Sequence, residues 1–253
     1  MINYALFRKE ITENRVKFFI CFSILAVLAA AIPLLYTFID TFFRNIDISY
    51  FVDPQELDFL VSSYDNYAWS QWTAKNLTQL AALTSIILGM GSLAGEISYG
   101  TAPFLVSKPI TRRGIFITKL SAGIFLLGCC LFGSSILLIL ISMMKGFTFN
   151  IWAFLVSTVI TFAGAIVIYT GTAVFSVLIH EPVKAGVVAA LFWGALSIFG
   201  FFKAAAPFSF FYQMKAVPYW LYGQSPLVPL GIFLVIYVIL FRTGVFFWSQ
   251  REF

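Results

Sequence analysis

The chain has 253 residues, of which 60% are hydrophobic and only 11% are charged. A soluble domain carries about 25% charged residues, so this composition excludes an ordinary soluble protein and indicates a membrane protein. The formal net charge of +5 is therefore interpreted as a signal for membrane topology, and we expect no nucleic-acid partner.

Six continuous apolar runs are long enough to cross a bilayer, since a spanning helix needs about 20 residues. The runs do not alternate between apolar and polar residues, which favours helices over barrel strands. We therefore predict an all-α membrane protein, with residues 1–253 forming a single transmembrane domain. The predicted spans are residues 18–39, 77–95, 120–144, 151–179, 185–202 and 227–248.

Residues 1–17 precede the first predicted span and have an amphipathic pattern. Tyr4, Phe7 and Ile11 share one helical face. This pattern predicts an interfacial helix that lies along the membrane surface before the chain enters the bilayer. An ordinary basic flank is an alternative, and so is a signal peptide. The apolar run that follows is longer than the usual signal-peptide core of about 7–15 residues, so we expect the segment to be retained.

Counting basic residues on alternate sides of the spans predicts the orientation. With the N-terminus inside, the inner segments hold eleven of the 16 Lys and Arg residues and the outer segments hold five. This satisfies the positive-inside rule. We therefore expect a multi-pass protein of the cell membrane with both termini in the cytoplasm.

Two predicted outer loops are long and aromatic. Residues 40–76 are expected to form a helix that returns along the outer interface. Residues 203–226, interrupted by Pro207 and Pro218, are expected to form short interfacial or re-entrant helices beside the sixth span. These aromatic residues are typical of a membrane-interface belt. A lid over an outward exit is the alternative.

The polar stretch from Gly95 to Lys119 separates the second and third predicted spans. Thr101 can cap a short helix that reaches Val106, because Pro103 fits an early helical position. Pro109 stops that helix, and Thr111 can cap the next one. The stretch therefore predicts a short helix at the inner membrane surface.

The sequence also limits the chemistry that the chain can perform. The first five predicted spans contain no Asp, Glu, Lys, Arg or His, and such residues usually mark ion and proton pathways. His180 lies in a turn, and Cys21, Cys129 and Cys130 lie in spans. No P-loop motif occurs. We therefore expect no catalytic residue, no metal site and no cofactor bound by this chain.

The polar stretch resembles the connection between the second and third spans of ABC type-2 transporter permeases. The resemblance rests on a Glu, a Gly-Thr pair, a Pro followed by Arg, and a Lys in this order, together with the basic N-terminal segment that contains Lys9 and Glu10. It implies a cytoplasmic coupling helix that contacts a separate ATPase subunit, to which ATP and Mg²⁺ bind. The coupling residues that it implies are Glu96, Gly100, Thr101, Lys108, Pro109, Arg112, Arg113 and Lys119.

The resemblance further implies a dimer with a second copy or a homologous permease, in contact with membrane lipids, and export as the direction of transport. The apolar spans favour a hydrophobic or amphipathic substrate. Arg112 and Arg113 lie at a helix N-terminus, where the macrodipole disfavours cations, so they need anionic partners. Lipid phosphates and Glu96 are the candidates, although both arginines also serve positive-inside topology. A membrane scaffold or immunity subunit, which binds a partner without transporting anything, is the alternative function.

Overall fold

The computed structural model describes residues 2–45, 62–202 and 204–251, and this part of the chain is helical without strands. It contains six helical segments that are long and apolar enough to cross a membrane, which confirms the predicted all-α membrane fold. We call them the first to sixth spans. In chain order they are Tyr4–Phe38, Tyr64–Ser98, Arg112–Met144, Ile151–Leu178, Pro182–Gly200 and Leu227–Gln250.

The first span belongs to one continuous helix, Tyr4–Asn45, with Pro33 inside it. The backbone does not break near residue 17, so the predicted interfacial segment and the first span form one continuous helix. The location of residues 1–17 along the membrane surface stays a prediction. Asn3 caps the helix, because its side-chain oxygen accepts a hydrogen bond from the amide of Leu6 at 3.0 Å. The buried residues of this part are Leu6 and Glu10, whereas Tyr4 of the predicted apolar face is 78% exposed.

The second span starts earlier than the sequence indicated. It begins with Tyr64–Ala68, continues as a π-helix over Trp69–Leu77 and returns to an α-helix over Thr78–Gly89. The expectation of a returning interfacial helix was therefore wrong for residues 64–76. Their polar side chains did not indicate a spanning helix from the sequence. The rest of that expectation, residues 46–61, lies outside the described residues. A short helix, Ala94–Ser98, completes the span.

The third span starts at Arg112, and the predicted cap is confirmed because the Thr111 hydroxyl accepts a hydrogen bond from the amide of Gly114 at 3.0 Å. Asn150 caps the fourth span in the same way. The fourth span lies centrally and packs against the second, third, fifth and sixth spans. The sixth span contributes few buried residues, so most of its surface faces outward.

Three short helices, Ala206–Phe208, Phe210–Met214 and Val217–Tyr222, connect the fifth and sixth spans. They confirm the prediction of a broken helical segment here, although residue 203 lies outside the described residues. We call residues 206–222 the outer hairpin, after the sequence-based expectation that they lie on the outer side of the membrane. Thr161 of the fourth span donates a hydrogen bond to the Met214 carbonyl at 2.9 Å. Trp220 stacks on Trp69 with ring centroids 5.5 Å apart, which fixes the hairpin to the second span.

Candidate functional site

The short helix Ala94–Ser98 is held by the fourth span. The hydroxyl of Ser176 accepts hydrogen bonds from the backbone amides of Leu93 and Ala94, at 2.9 and 2.7 Å. These amides belong to the first turn of the short helix, where the backbone donors have no partner within the helix. The contact fixes the position of the helix and, with it, the position of Glu96.

Glu96 belongs to a group of five charged residues, Lys9, Glu10, Glu13, Glu96 and Lys119, which we call the charge cluster. Lys119 is only 3% exposed. Its ammonium group forms an ion pair with Glu96 at 2.9 Å and a close ion pair with Glu10. Lys9 forms ion pairs with Glu96 at 3.0 Å and with Glu13 at 3.5 Å. The charge cluster therefore joins the first, second and third spans through paired charges, of which Glu10, Glu96 and Lys119 are buried.

The three carboxylates of the charge cluster place oxygen atoms within 4.8 Å of one another, as a cation site requires. However, the ammonium groups of Lys9 and Lys119 already form ion pairs with these carboxylates. A metal ion would meet two positive charges at close range. The arrangement supports a structural ionic network rather than a metal centre.

Thr101 links the charge cluster to the loop that follows it. Its hydroxyl donates a short hydrogen bond to the Glu96 carboxylate, and its amide donates to the Glu96 carbonyl at 2.9 Å. Thr101 occupies the N-cap position of the next helix, but no capping bond from its side chain forms, in contrast to the expectation. Gly100 between them has φ +68°, a left-handed conformation that glycine adopts without steric cost. The Gly-Thr pair thus turns the chain back onto Glu96.

The helix Ala102–Val106, which we call the loop helix, has one buried and one exposed face. Ala102 and Leu105 are buried, whereas Phe104 is 67% exposed. The Lys108 ammonium lies 4.7 Å from the centre of the Phe104 ring, a cation–π contact. The exposed face therefore offers an aromatic ring and a positive charge to a partner.

The far end of this loop is attached to the sixth span. After Pro109 and the Thr111 cap, the Arg112 guanidinium donates hydrogen bonds to the backbone carbonyls of Ser249, at 2.9 Å, and Arg251. These are terminal carbonyls of a helix, which carry partial negative charge. Arg113 is exposed and forms no ion pair with any described carboxylate. Glu96 is therefore not the anionic partner of either arginine, contrary to the expectation.

The structure brings Glu96, Thr101 and Lys119 together at one end of the loop and places Gly100 in the turn beside them. Lys108, Pro109, Arg112 and Arg113 lie further along the same loop. Sequence reasoning did not assign Lys9 and Glu10 to the site individually, although Glu10 is 4% exposed and pairs with Lys119. The available signal was an acidic residue directly beside Ile11 of the apolar stripe, where an unpaired charge is costly.

The fold and the site define a six-span membrane protein with a short helix between the second and third spans that follows directly on a cluster of buried charges. Comparison with protein families agrees with this class, since the family model described as "ABC-2 family transporter protein" matches residues 4–215. The match covers most of the chain, and the protein belongs to the ABC-2 transporter family, as the resemblance predicted. Permeases of this family work in general with ATP-binding cassette subunits. No curated protein sequence matches the chain.

Proposed function

We propose that this chain is the permease subunit of an exporter and that the loop helix couples ATP hydrolysis in a separate subunit to movement of the spans. The observation that carries the proposal is the contrast between the two faces of the loop. Phe104 and Lys108 are exposed for contact, whereas Glu96 at the base of the loop is buried in the charge cluster. The exposed face of the loop helix is available to contact the ATPase subunit, and the base of the loop is bound to three spans.

The charge cluster connects the loop helix directly to the spans, so that a movement of the loop helix is transmitted to them. When the ATPase subunits close on ATP, their movement displaces the loop helix. Glu96 passes this displacement to the third span through Lys119 and to the first span through Lys9. Ser176 passes it to the fourth span. Because separating buried charges is unfavourable, these elements move as one body.

In this assembly, ATP and Mg²⁺ bind to the partner subunit, and a second permease copy or a homologue completes the path across the cell membrane. Both termini and the loop helix face the cytoplasm, as the distribution of basic residues indicates. The exposed apolar surface of the spans contacts lipids. The cargo is hydrophobic or amphipathic, and the direction is export.

Phe104→Ala combined with Lys108→Gln tests the proposal. Both side chains are exposed, so we expect the folded permease to be unaffected. Binding of the ATP-binding cassette subunit that copurifies from native membranes should weaken by about tenfold or more, since buried aromatic anchors dominate interfaces. Binding and ATP turnover are measured in reconstituted membranes.

Phe208→Ala is the matched control, because it makes the same change at a residue that is 89% exposed on the outer hairpin. It should leave ATPase binding and turnover unchanged. The lone chain should hydrolyse no ATP. Normal binding and turnover in the Phe104/Lys108 variant would show that the loop helix is not the coupling contact.

A further inference from the structure

A cavity of about 490 Å³ lies between the second span, the fifth span and the outer hairpin. Its volume falls within the range of roughly 300–1,000 Å³ that is common for small-molecule sites. No residue of the charge cluster and none of the coupling residues lines it. It is therefore separate from the site described above.

The walls of the cavity differ in chemistry. Ala82, Leu83 and Ile86 of the second span supply an apolar side, and Leu83 is exposed, so this side communicates with the surface. The outer hairpin contributes Tyr212 and Lys215. An apolar wall beside a polar, cationic one matches a molecule that has both an apolar and an anionic part.

Lys215 is the charged residue that lines the cavity. It is half-buried, and no described carboxylate forms an ion pair with it. Its position is fixed by the preceding residue, since Met214 is fully buried under Gly164 and its carbonyl accepts a hydrogen bond from Thr161. A partly desolvated ammonium held in a cavity favours an anionic ligand.

Ser209 supplies a second observation. It is 3% exposed and lines the cavity, and its hydroxyl has no hydrogen-bond partner among the described residues. Buried polar groups are nearly always hydrogen-bonded, so an unpaired hydroxyl calls for an explanation. Because Ser209 lines the cavity, an acceptor on a ligand bound there is one such explanation.

We propose that this cavity binds an amphiphile with an anionic headgroup, with the headgroup at Lys215 and Ser209 and the apolar tail along Ala82, Leu83 and Ile86. This inference rests on the proposed function, because it names the class of molecule that the permease moves. Binding itself needs no ATPase partner. The two ideas can therefore fail independently.

Equilibrium binding of radiolabelled dodecyl phosphate to the purified chain in phosphatidylcholine nanodiscs tests the proposal. Lys215→Gln should weaken binding by about tenfold, because it removes a charge-assisted hydrogen bond. Lys215→Arg should retain binding. Lys145→Gln is the matched control, since it removes an exposed lysine that does not line the cavity. Dodecyltrimethylammonium lacks the anionic headgroup and inorganic phosphate lacks the apolar tail, so neither should bind.

A second pair of variants tests the cavity itself. Gly194 lines it, and a Cβ built there meets no atom within 4 Å, so we expect the side chain of Gly194→Leu to occupy part of the cavity. Gly231→Leu makes the same change at another open helical position that lies outside the cavity. Only Gly194→Leu should abolish dodecyl phosphate binding.

The proposal is overturned if Lys215→Gln binds as tightly as the unmodified chain, or if Lys145→Gln loses as much affinity. Equal binding of inorganic phosphate would show that the tail contributes nothing and would overturn it as well. If dodecyl phosphate binds as expected but the loop-helix variants leave ATP coupling intact, the proposed coupling contact fails while this site stands. If dodecyl phosphate does not bind but the loop-helix variants lose ATP coupling, this site fails while the coupling contact stands.

Discussion

Lys119→Met is the most direct test of the charge cluster. Methionine has a similar length and no charge, so the substitution removes the ammonium and keeps most of the volume. The Lys119 side chain is 3% exposed and lies between the carboxylates of Glu10 and Glu96. Glu96 keeps Lys9 and Thr101 as partners, but Glu10 loses its ion-pair partner in a buried position. Breaking a buried pair in this way costs about 3–5 kcal/mol of unfolding free energy.

The matched control for this measurement is Lys184→Met. Lys184 pairs with Glu181 at 2.7 Å, but its side chain is 72% exposed. An exposed pair contributes little to stability because solvent screens it, so the same chemical change should have little effect. Both variants are unfolded with denaturant in detergent micelles, with tryptophan fluorescence as the signal.

A triple variant separates loss of charge pairing from loss of packing. Lys119→Met together with Glu10→Met and Glu96→Met leaves no stranded carboxylate, and replacing a whole buried ionic group by hydrophobic residues of similar volume is often neutral. We expect it to recover most of the lost stability. If Lys119→Met costs no more than Lys184→Met, the charge cluster does not hold the spans together. If the triple variant is less stable than Lys119→Met, a stranded carboxylate is not the cause of the lost stability.

Two further outcomes follow from the packing and the charge distribution. Gly123→Ala should destabilise the protein by about 1–3 kcal/mol, because the new methyl group overlaps the hydroxyl end of the buried Tyr169. Gly128→Ala on the same span is the control and should cost less, because its methyl group approaches the Phe162 ring only to 3.4 Å. Thermal unfolding of the two variants compares these costs. Single cysteines at Ser107 and Lys145 should react with an impermeant thiol reagent from opposite sides of the membrane, and labelling of position 107 in intact cells would contradict the proposed orientation.

The spans were predictable because uninterrupted apolar sequence has few other structural outcomes. The errors fall where spanning helices carry polar residues that are satisfied within the protein. Trp72 donates a hydrogen bond to Ser135 at 3.0 Å, and Asn76 donates to the Gln71 carbonyl, so the polar start of the second span is compatible with burial. Ser135 lies 63 residues from Trp72, and such a long-range partner cannot be identified from local composition. The sequence therefore places the start of this span too late.

The arginine assignment failed for a related reason. Arg112 and Arg113 are close to Glu96 in sequence, and pairing between neighbouring opposite charges was the simple expectation. In the structure, Glu96 faces inward, where Lys119 is the buried cation nearest to it. Arg112 faces the carbonyl end of the sixth span instead. The order of charges along a loop predicts that the loop is anchored, but not which charge anchors which end.

The loop has two anchors of different strength, and this difference bears on how it transmits motion. The anchor at Glu96 consists of buried ion pairs and an additional hydrogen bond from Thr101. The anchor at Arg112 is partly exposed and includes hydrogen bonds to backbone carbonyls at a helix end. Buried charges resist separation more strongly than exposed contacts. A force on the loop helix is therefore expected to disrupt the contact with the sixth span first, while the first, second and third spans continue to move together.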